Sequence, residues 1–209
     1  MLAGPIDIPS PIDFQLMRDA RDWESKAMDR PFRLRMFEQF SECIAASSAT
    51  QLLDLGSGPG FLAKHLCNRN SDIFITLLDY SKVMHELSRN RLAGHLDRVK
   101  FVTRDFKKPD WTSDLGKFDC IVTNQAVHEL RHKCHAATFH EQAGRILNDG
   151  GIYLVCDHFF GKGGMSNNQL YMSVQEQLQS LNQADFEAEL LLQKGSFAFI
   201  RAFQRSRSK

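Results

Sequence analysis

Leu52-Leu53-Asp54-Leu55-Gly56-Ser57-Gly58-Pro59-Gly60 reads as a short apolar strand that carries an acid near its end and runs into a glycine-rich turn. The next residues, Phe61 to Asn68, have helical spacing. Strand, glycine turn and helix in that order form the nucleotide-binding start of a doubly wound α/β domain. Glycine takes positive φ and, without a Cβ, lets a ligand lie against the backbone. The spacing is G-x-G-x-G. A dinucleotide fingerprint G-x-G-x-x-G needs its third glycine at position 61, where Phe61 stands, so the turn does not fit a nicotinamide dinucleotide. Alone, a tight turn with no ligand would satisfy the same pattern.

Outward from this turn, apolar runs and helical patterns alternate. Strands are expected at Gln51–Leu55, Ile73–Asp79, Val99–Thr103, Phe118–Thr123 and Ile152–Cys156. Between them lie helices at Phe61–Asn68, from a Ser81 cap through Val83, Met84, Leu87 and Leu92, and at about Ala136–Leu147, where Gly150-Gly151 marks a stop. A later helix is expected near Gln169–Leu181, and Glu187–Leu192 with Phe197–Phe203 read as a hairpin around Lys194-Gly195. Upstream, Ser10-Pro11 resembles an N-cap followed by proline at the first helical position, with a helix running to about Met28. Arg30-Pro31 breaks it, and a second helix carries Phe32, Met36, Phe37, Phe40 and Ile44 on one face. The expectation is an α/β fold: a Rossmann-like, doubly wound, seven-stranded, mainly parallel sheet with an antiparallel terminal strand. Residues 1–45 are expected as a helical cap on the same domain as residues 46–209.

Composition bounds the function. The chain has 209 residues, 43% hydrophobic and 24% charged, enough for a buried core. A formal net charge of +1 gives no global field toward nucleic acid or an anionic membrane. No apolar run reaches the length of a membrane span, and Met1 to Pro11 lacks the basic start and apolar stretch of a signal peptide. The five cysteines (Cys43, Cys67, Cys120, Cys134, Cys156) are odd in number and none is spaced C-x-x-C; Cys120 and Cys156 fall inside expected strands. Buried, reduced thiols and a cytoplasmic location are the expectation.

An ordered series of motifs then resembles the class I S-adenosylmethionine-dependent methyltransferases. It covers roughly Phe40 to Phe203. Leu53 to Gly60 resembles the family's first motif, Asp79 the acid at the end of strand two, and Asp105-Phe106 the acidic turn after strand three. Phe118-Asp119-Cys120-Ile121-Val122 resembles strand four, with Asn124-Gln125-Ala126-Val127-His128 at its carboxyl end. Arg145-Ile146-Leu147-Asn148-Asp149-Gly150-Gly151 resembles the entry to strand five, and Ala184-Asp185-Phe186 departs slightly from the usual Ala-Gly-Phe. The resemblance implies S-adenosyl-L-methionine as cofactor and S-adenosyl-L-homocysteine as product. Asp79 would then accept from the ribose hydroxyls and Asp105 from the adenine amino group, with Phe106 or Tyr80 against the ring. Gly56, Ser57, Gly58 and Gly60 would lie along ribose and methionine, Asp54 would orient the loop or the ligand ammonium, and Asn124 and Gln125 would complete the cofactor set.

Methyl transfer from a sulfonium is a displacement in which the protein mainly aligns the partners. A base is needed only where the nucleophile must lose a proton. The end of strand four offers Asn124, Gln125, His128, Glu129, Arg131 and His132, and strand five adds Asp157, His158, Phe159 and Phe160. The expected base or substrate contact is His128, then His158. His128-Glu129-Leu130-Arg131-His132 also matches the zinc-protease pattern H-E-x-x-H, which requires both histidines on one helix face plus a third ligand. No third ligand has the usual spacing, so no metal is expected.

The substrate is argued by absence. Asn124-Gln125-Ala126-Val127 lacks the Asn/Asp-Pro-Pro-aromatic motif usual in nucleic-acid amino methyltransferases of the family, and the basic tail (Arg201, Arg205, Arg207, Lys209) is short. Trp23, Phe32, Phe37 and the stretch Phe159 to Leu181 form a compact cover. The expected partner is a small-molecule methyl acceptor, methylated on oxygen, nitrogen or carbon, and the chain is expected to be a monomer or homodimer. RNA or protein methylation, and cofactor binding without catalysis, are the alternatives.

Overall fold

Valine, isoleucine, leucine and phenylalanine fill the strands, and neighbouring residues along each strand face opposite ways. In the computed structural model, which describes residues 6–205, this alternation builds two cores on one sheet. Leu53, Leu55, Ile121, Tyr153 and Val155 face one side; Leu52, Ile75, Leu77, Val122 and Leu154 face the other. Seven strands run in the order β3-β2-β1-β4-β5-β7-β6. They are β1 (Gln51–Leu55), β2 (Phe74–Asp79), β3 (Val99–Thr103), β4 (Phe118–Asn124), β5 (Leu147–His158), β6 (Phe186–Lys194) and β7 (Phe197–Gln204). The first five are mutually parallel, and β7 lies antiparallel between β5 and β6. This is the expected Rossmann-like sheet. Strand order reverses between β1 and β4, which opens a crevice at their carboxyl ends.

Six α-helices flank the sheet among the described residues: α1 (Met17–Ala27), α2 (Arg33–Ser47), α3 (Phe61–Arg69), α4 (Lys82–Arg91), α5 (Ala136–Arg145) and α6 (Val174–Gln183). Helix α2 buries Met36, Phe37, Phe40 and Ile44 in the same core as α3. Helix α1 is shorter and packs Ala20 against Met84 and Leu87 of α4. Ser81 caps α4 as its sequence predicts, its Oγ accepting from the Met84 N–H at 3.0 Å. Among the described residues no helix is long and apolar enough to cross a membrane. Met1–Pro5, and Arg207 and Lys209 of the basic tail, lie outside the described residues.

Element boundaries differ most from expectation in three places. Ser10-Pro11 does not start α1: the Ser10 hydroxyl donates to the Ile12 carbonyl at 2.9 Å, and the helix begins at Met17. Residues 6–16 run as a strap across the sheet's carboxyl edge. The Ile8 N–H donates to the Arg131 carbonyl at 2.9 Å, and the Arg131 side chain donates to the carbonyls of Ile8 and Pro9 at 2.8 Å each. Helix α5 ends at Arg145, and Leu147 is already a strand residue paired with Phe118. A bulge then carries the Gly150-Gly151 pair before Ile152 pairs with Cys120, so those glycines shape a strand rather than stop a helix. Helix α6 starts at Val174, behind a capping box in which Ser173 Oγ accepts from the Glu176 N–H and Glu176 accepts from the Ser173 N–H. The departure at Ala184-Asp185-Phe186 has a simple geometry: Asp185 takes φ 65°, the left-handed conformation a glycine would adopt without strain.

Candidate active site

A cavity of about 610 Å³ lies at the carboxyl ends of β1, β2, β4 and β5, roofed by the strap and the turn between α1 and α2. That volume is within the range of small-ligand and cofactor sites. Its two ends differ in chemistry.

One end is built on the glycine turn. Gly56 (φ 71°) and Gly58 (φ 54°) line it, and the Gly56 N–H is tied to the Leu78 carbonyl at 2.8 Å. Asp79 organises this end: its Oδ2 accepts from the Gly58 N–H at 2.8 Å and its Oδ1 from the Ser81 N–H at 2.9 Å. Burial nonetheless holds its pKa above the ordinary value. Asp54 is 2% exposed, and its Oδ2 has no partner. Burial, then the neighbouring Asp79 charge, push its pKa up to about 7. Ser57 Oγ, Asn124 Oδ1 and Gln125 Nε2 also lack partners while lining the cavity. Buried polar atoms are normally satisfied, so these four leave hydrogen-bonding capacity in the cavity wall that a polar ligand would fill. Tyr80 and Phe106 supply flat apolar walls, Phe106 resting on Phe139 with centroids 5.1 Å apart. An ammonium beside Asp54, a ribose near Asp79 and a flat base between those rings fit this set.

Two residues expected at the cofactor do not line the cavity. Gly60 stands behind the turn as the N-cap of α3 at φ 78°, with no room for a Cβ against Ser88 of α4. It therefore serves the packing of the turn. Asp105 closes its own loop, Oδ1 accepting from the Lys107 N–H at 2.9 Å. The other nine (Asp54, Gly56, Ser57, Gly58, Asp79, Tyr80, Phe106, Asn124, Gln125) line it together.

The other end holds both histidines, their rings 5.7 Å apart. Asp157, at the end of β5, accepts from the His128 backbone N–H at 2.9 Å and lies 2.7 Å from His128 Nδ1. Glu129 lies 3.4 Å from His128 Nε2. Burial disfavours the charged ring, but the charge and hydrogen bond of Asp157, with Glu129, outweigh it and raise the His128 pKa to about 10. Burial also opposes ionisation of Asp157, yet the charge and hydrogen bond of His128 hold its carboxyl below the usual range. His158 is the opposite case. It stacks on Phe197 with centroids 4.6 Å apart, and burial, with the positive groups His128, Arg30 and Arg33 overriding Asp157, pushes its pKa down to about 4. Its Nδ1 lies 2.8 Å from Ser196 Oγ and its Nε2 lies 3.4 Å from Arg30 Nη1. With a guanidinium N–H at Nε2, that nitrogen carries the lone pair and Nδ1 carries the proton. Asp157 thus favours the charged form of the His128 ring, while burial and the surrounding positive groups favour the neutral form of His158.

The H-E-x-x-H stretch is not one helix face. A 3₁₀ turn covers Val127–Leu130, Arg131 turns left-handed at φ 69°, and His132 is extended, its Nδ1 accepting from the Cys134 N–H at 3.2 Å. His128 and His132 are thereby separated. His132, Phe159 and Phe160 do not line the cavity, and Arg131 turns to the strap and to Glu129. Sequence reading missed Arg30 and Arg33, which reach the cavity from before and at the start of α2, and also Tyr171 and Ser196. No local pattern marks them, since Arg33 meets Gln125 across 92 residues.

Comparison with known proteins bears on the same segment. A family model described as a methyltransferase domain matches residues 46–200. Ribosomal RNA small subunit methyltransferase C of Salmonella arizonae is 34% identical over 104 residues, 48% of this chain and 29% of that protein. Malonyl-[acyl-carrier protein] O-methyltransferase of Legionella pneumophila is 30% identical over 112 residues, 53% of this chain and 38% of that one. The matched segment is thus well under half the length of either curated relative. An O-methyltransferase family protein from Burkholderia thailandensis has the same fold, with a TM-score of 0.77 at 16% identity over 93% of this chain and 62% of that one.

Proposed function

The chain belongs to the class I S-adenosylmethionine-dependent methyltransferases, and from that premise we propose that it methylates a hydroxyl oxygen of a small organic molecule. The observation that carries this reading is the geometry at one end of the cavity, where two histidine rings lie 5.7 Å apart, one held on Asp157 and the other on Ser196. A cavity-lining imidazole whose Nδ1 rests on Ser196 offers its other nitrogen to a nucleophile that must lose a proton.

Asp54 would meet the cofactor's ammonium, Asp79 its ribose, and Tyr80 and Phe106 its base. S-adenosylmethionine, when bound, supplies a methyl group already activated on sulfur. The protein's work is then alignment, which can contribute roughly 7–11 kcal/mol of the barrier, and proton removal. His158 receives the acceptor's hydroxyl proton at Nε2, while Nδ1–H stays on Ser196 and fixes the tautomer. His128, kept cationic by Asp157, stabilises the oxyanion that forms.

Calorimetric titration with S-adenosylhomocysteine, followed by turnover against a panel of phenols and hydroxy acids, tests this. His158→Gln should keep cofactor affinity and lose roughly 10²–10⁴ in kcat. Full turnover by that variant would refute the proton assignment, and no binding of S-adenosylhomocysteine by the wild type would remove the enzyme reading. A second reading, RNA methylation, draws on the similarity to the ribosomal RNA enzyme. It predicts RNA affinity that falls steeply with salt. The near-neutral chain and the predominantly apolar cavity favour the small molecule.

A further inference from the structure

Three arginines line the cavity, and two of them have no carboxylate. Arg131 is paired with Glu129 and the strap. Arg30 and Arg33 have no Asp or Glu oxygen within 4.0 Å among the described residues, which contain every Asp and Glu of the chain. Arg33 is 3% exposed and its Nε has no hydrogen-bond partner. Its Nη2 donates to Gln125 Oε1 at 2.6 Å, and Arg30 Nη1 lies 3.3 Å from that same oxygen. Two guanidinium groups share one neutral acceptor.

Such an arrangement is costly by itself. A buried charge normally has a counter-ion, and like charges at close range repel. Burial, and then Arg30, already lower the Arg33 pKa to about 10. The two guanidinium carbons lie 6.0 and 5.5 Å from the centre of the Trp23 ring, within cation–π reach. Guanidinium forks match the geometry of a carboxylate. Beside them Trp23, Phe37, Tyr171 and Phe197 form an aromatic wall.

We infer that Arg30 and Arg33 form a carboxylate-binding subsite, and that the methyl acceptor is an anionic molecule with an apolar, ring-sized body. The inference rests on the proposed methyl transfer for the identity of its occupant. It also gives Arg30 a positioning role. Arg30 now covers the lone pair of His158 Nε2, and turning toward an arriving carboxylate frees that nitrogen for the acceptor's proton.

The cofactor carries a carboxylate too, so the experiment separates the two sources. Calorimetry of the protein saturated with S-adenosylhomocysteine, using benzoate and benzamide as probes, should show benzoate binding at least tenfold more tightly. Arg30→Gln, at an exposed position, and Arg33→Gln should each bring benzoate to the level of benzamide and leave S-adenosylhomocysteine within twofold of wild type. Arg33→Lys keeps the charge without the fork and should weaken benzoate by less. Equal binding of the two probes by the wild type overturns the inference. So does a variant that loses S-adenosylhomocysteine tenfold while holding 5′-methylthioadenosine, which lacks the amino-acid carboxylate, because the cofactor would then be the occupant. If the wild type fails to bind S-adenosylhomocysteine, the methyltransferase reading falls, while the benzoate comparison run without it still reads the subsite.

Discussion

Asp157→Asn removes one charge and little volume, and its cost can be worked from the geometry. Asp157 is 3% exposed and accepts from three N–H groups: the His128 backbone at 2.9 Å, His128 Nδ1 at 2.7 Å and the His158 backbone at 2.7 Å. Asparagine must turn its amide nitrogen toward at least one of them. Without the carboxylate, the His128 pKa falls from about 10 toward its ordinary 6.5. At 1.36 kcal/mol per unit, a complete return would cost about 5 kcal/mol. Glu129 at 3.4 Å retains part of the effect. The expected loss is about 3 kcal/mol, at the lower end for a broken buried pair. The sign with pH is fixed. The raised His128 contributes stability fully below its unfolded value, and that share fades as pH climbs from 6.5 to about 10. The lowered Asp157 contributes above its unfolded value of 3.8, and its share fades as pH falls below that. Urea denaturation of wild type and variant should therefore show a wide gap near about pH 6 and a narrow one near about pH 9.5. An NMR titration of the His128 ring reads the same quantity directly. A gap equal at both values, or a wild-type His128 titrating near 6.5, would refute the reasoning.

Asp79→Ala should weaken S-adenosylhomocysteine at least tenfold by calorimetry, because it frees the Gly58 and Ser81 N–H groups as well as removing the proposed ribose partner; unchanged affinity would show that the cofactor lies elsewhere. Asp54 titrates near about 7 in the free protein, so cofactor binding should release protons at pH 6–7 as an ammonium draws the carboxyl into its charged form. Calorimetry in two buffers of different ionisation heat detects that release, and Asp54→Asn should abolish it. Gly60→Ala should lower the melting temperature by roughly 4–8 °C for a loss of about 2 kcal/mol, since its Cβ would press on Ser88 at a φ of 78°; an unchanged melt would mean that α4 moves aside without cost.

Much of the sheet was legible because the central strands are nearly unbroken apolar runs buried on both faces, and because β1 runs into Gly56 and β2 ends at Asp79. Leu52 to Gly60 carries both signals, and Ser81 announced the start of α4 correctly. The strap was not legible. It is held by Arg131 from more than 120 residues away, and local rules read Ser10-Pro11 as a helix start. The capping box Ser173…Glu176 was present in the sequence, and the apolar spacing from Leu170 pulled the expected helix past it. Within the site, sequence order located the glycine turn and both histidines. It ranked His128 first as base, whereas the burial and charges that make His128 a cation and His158 neutral exist only once β4, β5 and α2 meet. Arg30-Pro31 read only as a helix break, and nothing local shows that Arg30 and Arg33 turn toward Gln125.

Arg131 grips the strap through the carbonyl oxygens of Ile8 and Pro9, a feature every residue type possesses. That grip is indifferent to the side chains at positions 8 and 9, whereas Asp7, 2.8 Å from His135 Nε2, and Gln15, donating to the Tyr80 carbonyl at 3.1 Å, tie the strap through side chains of their own. Ser10, Pro11 and Ile12, which form part of the cavity wall between these ties, can be exchanged while the tether holds. The position of Arg131 is thus set by architecture, while this short stretch of the strap's inner face is the part of the wall that substitution can reshape without loosening it.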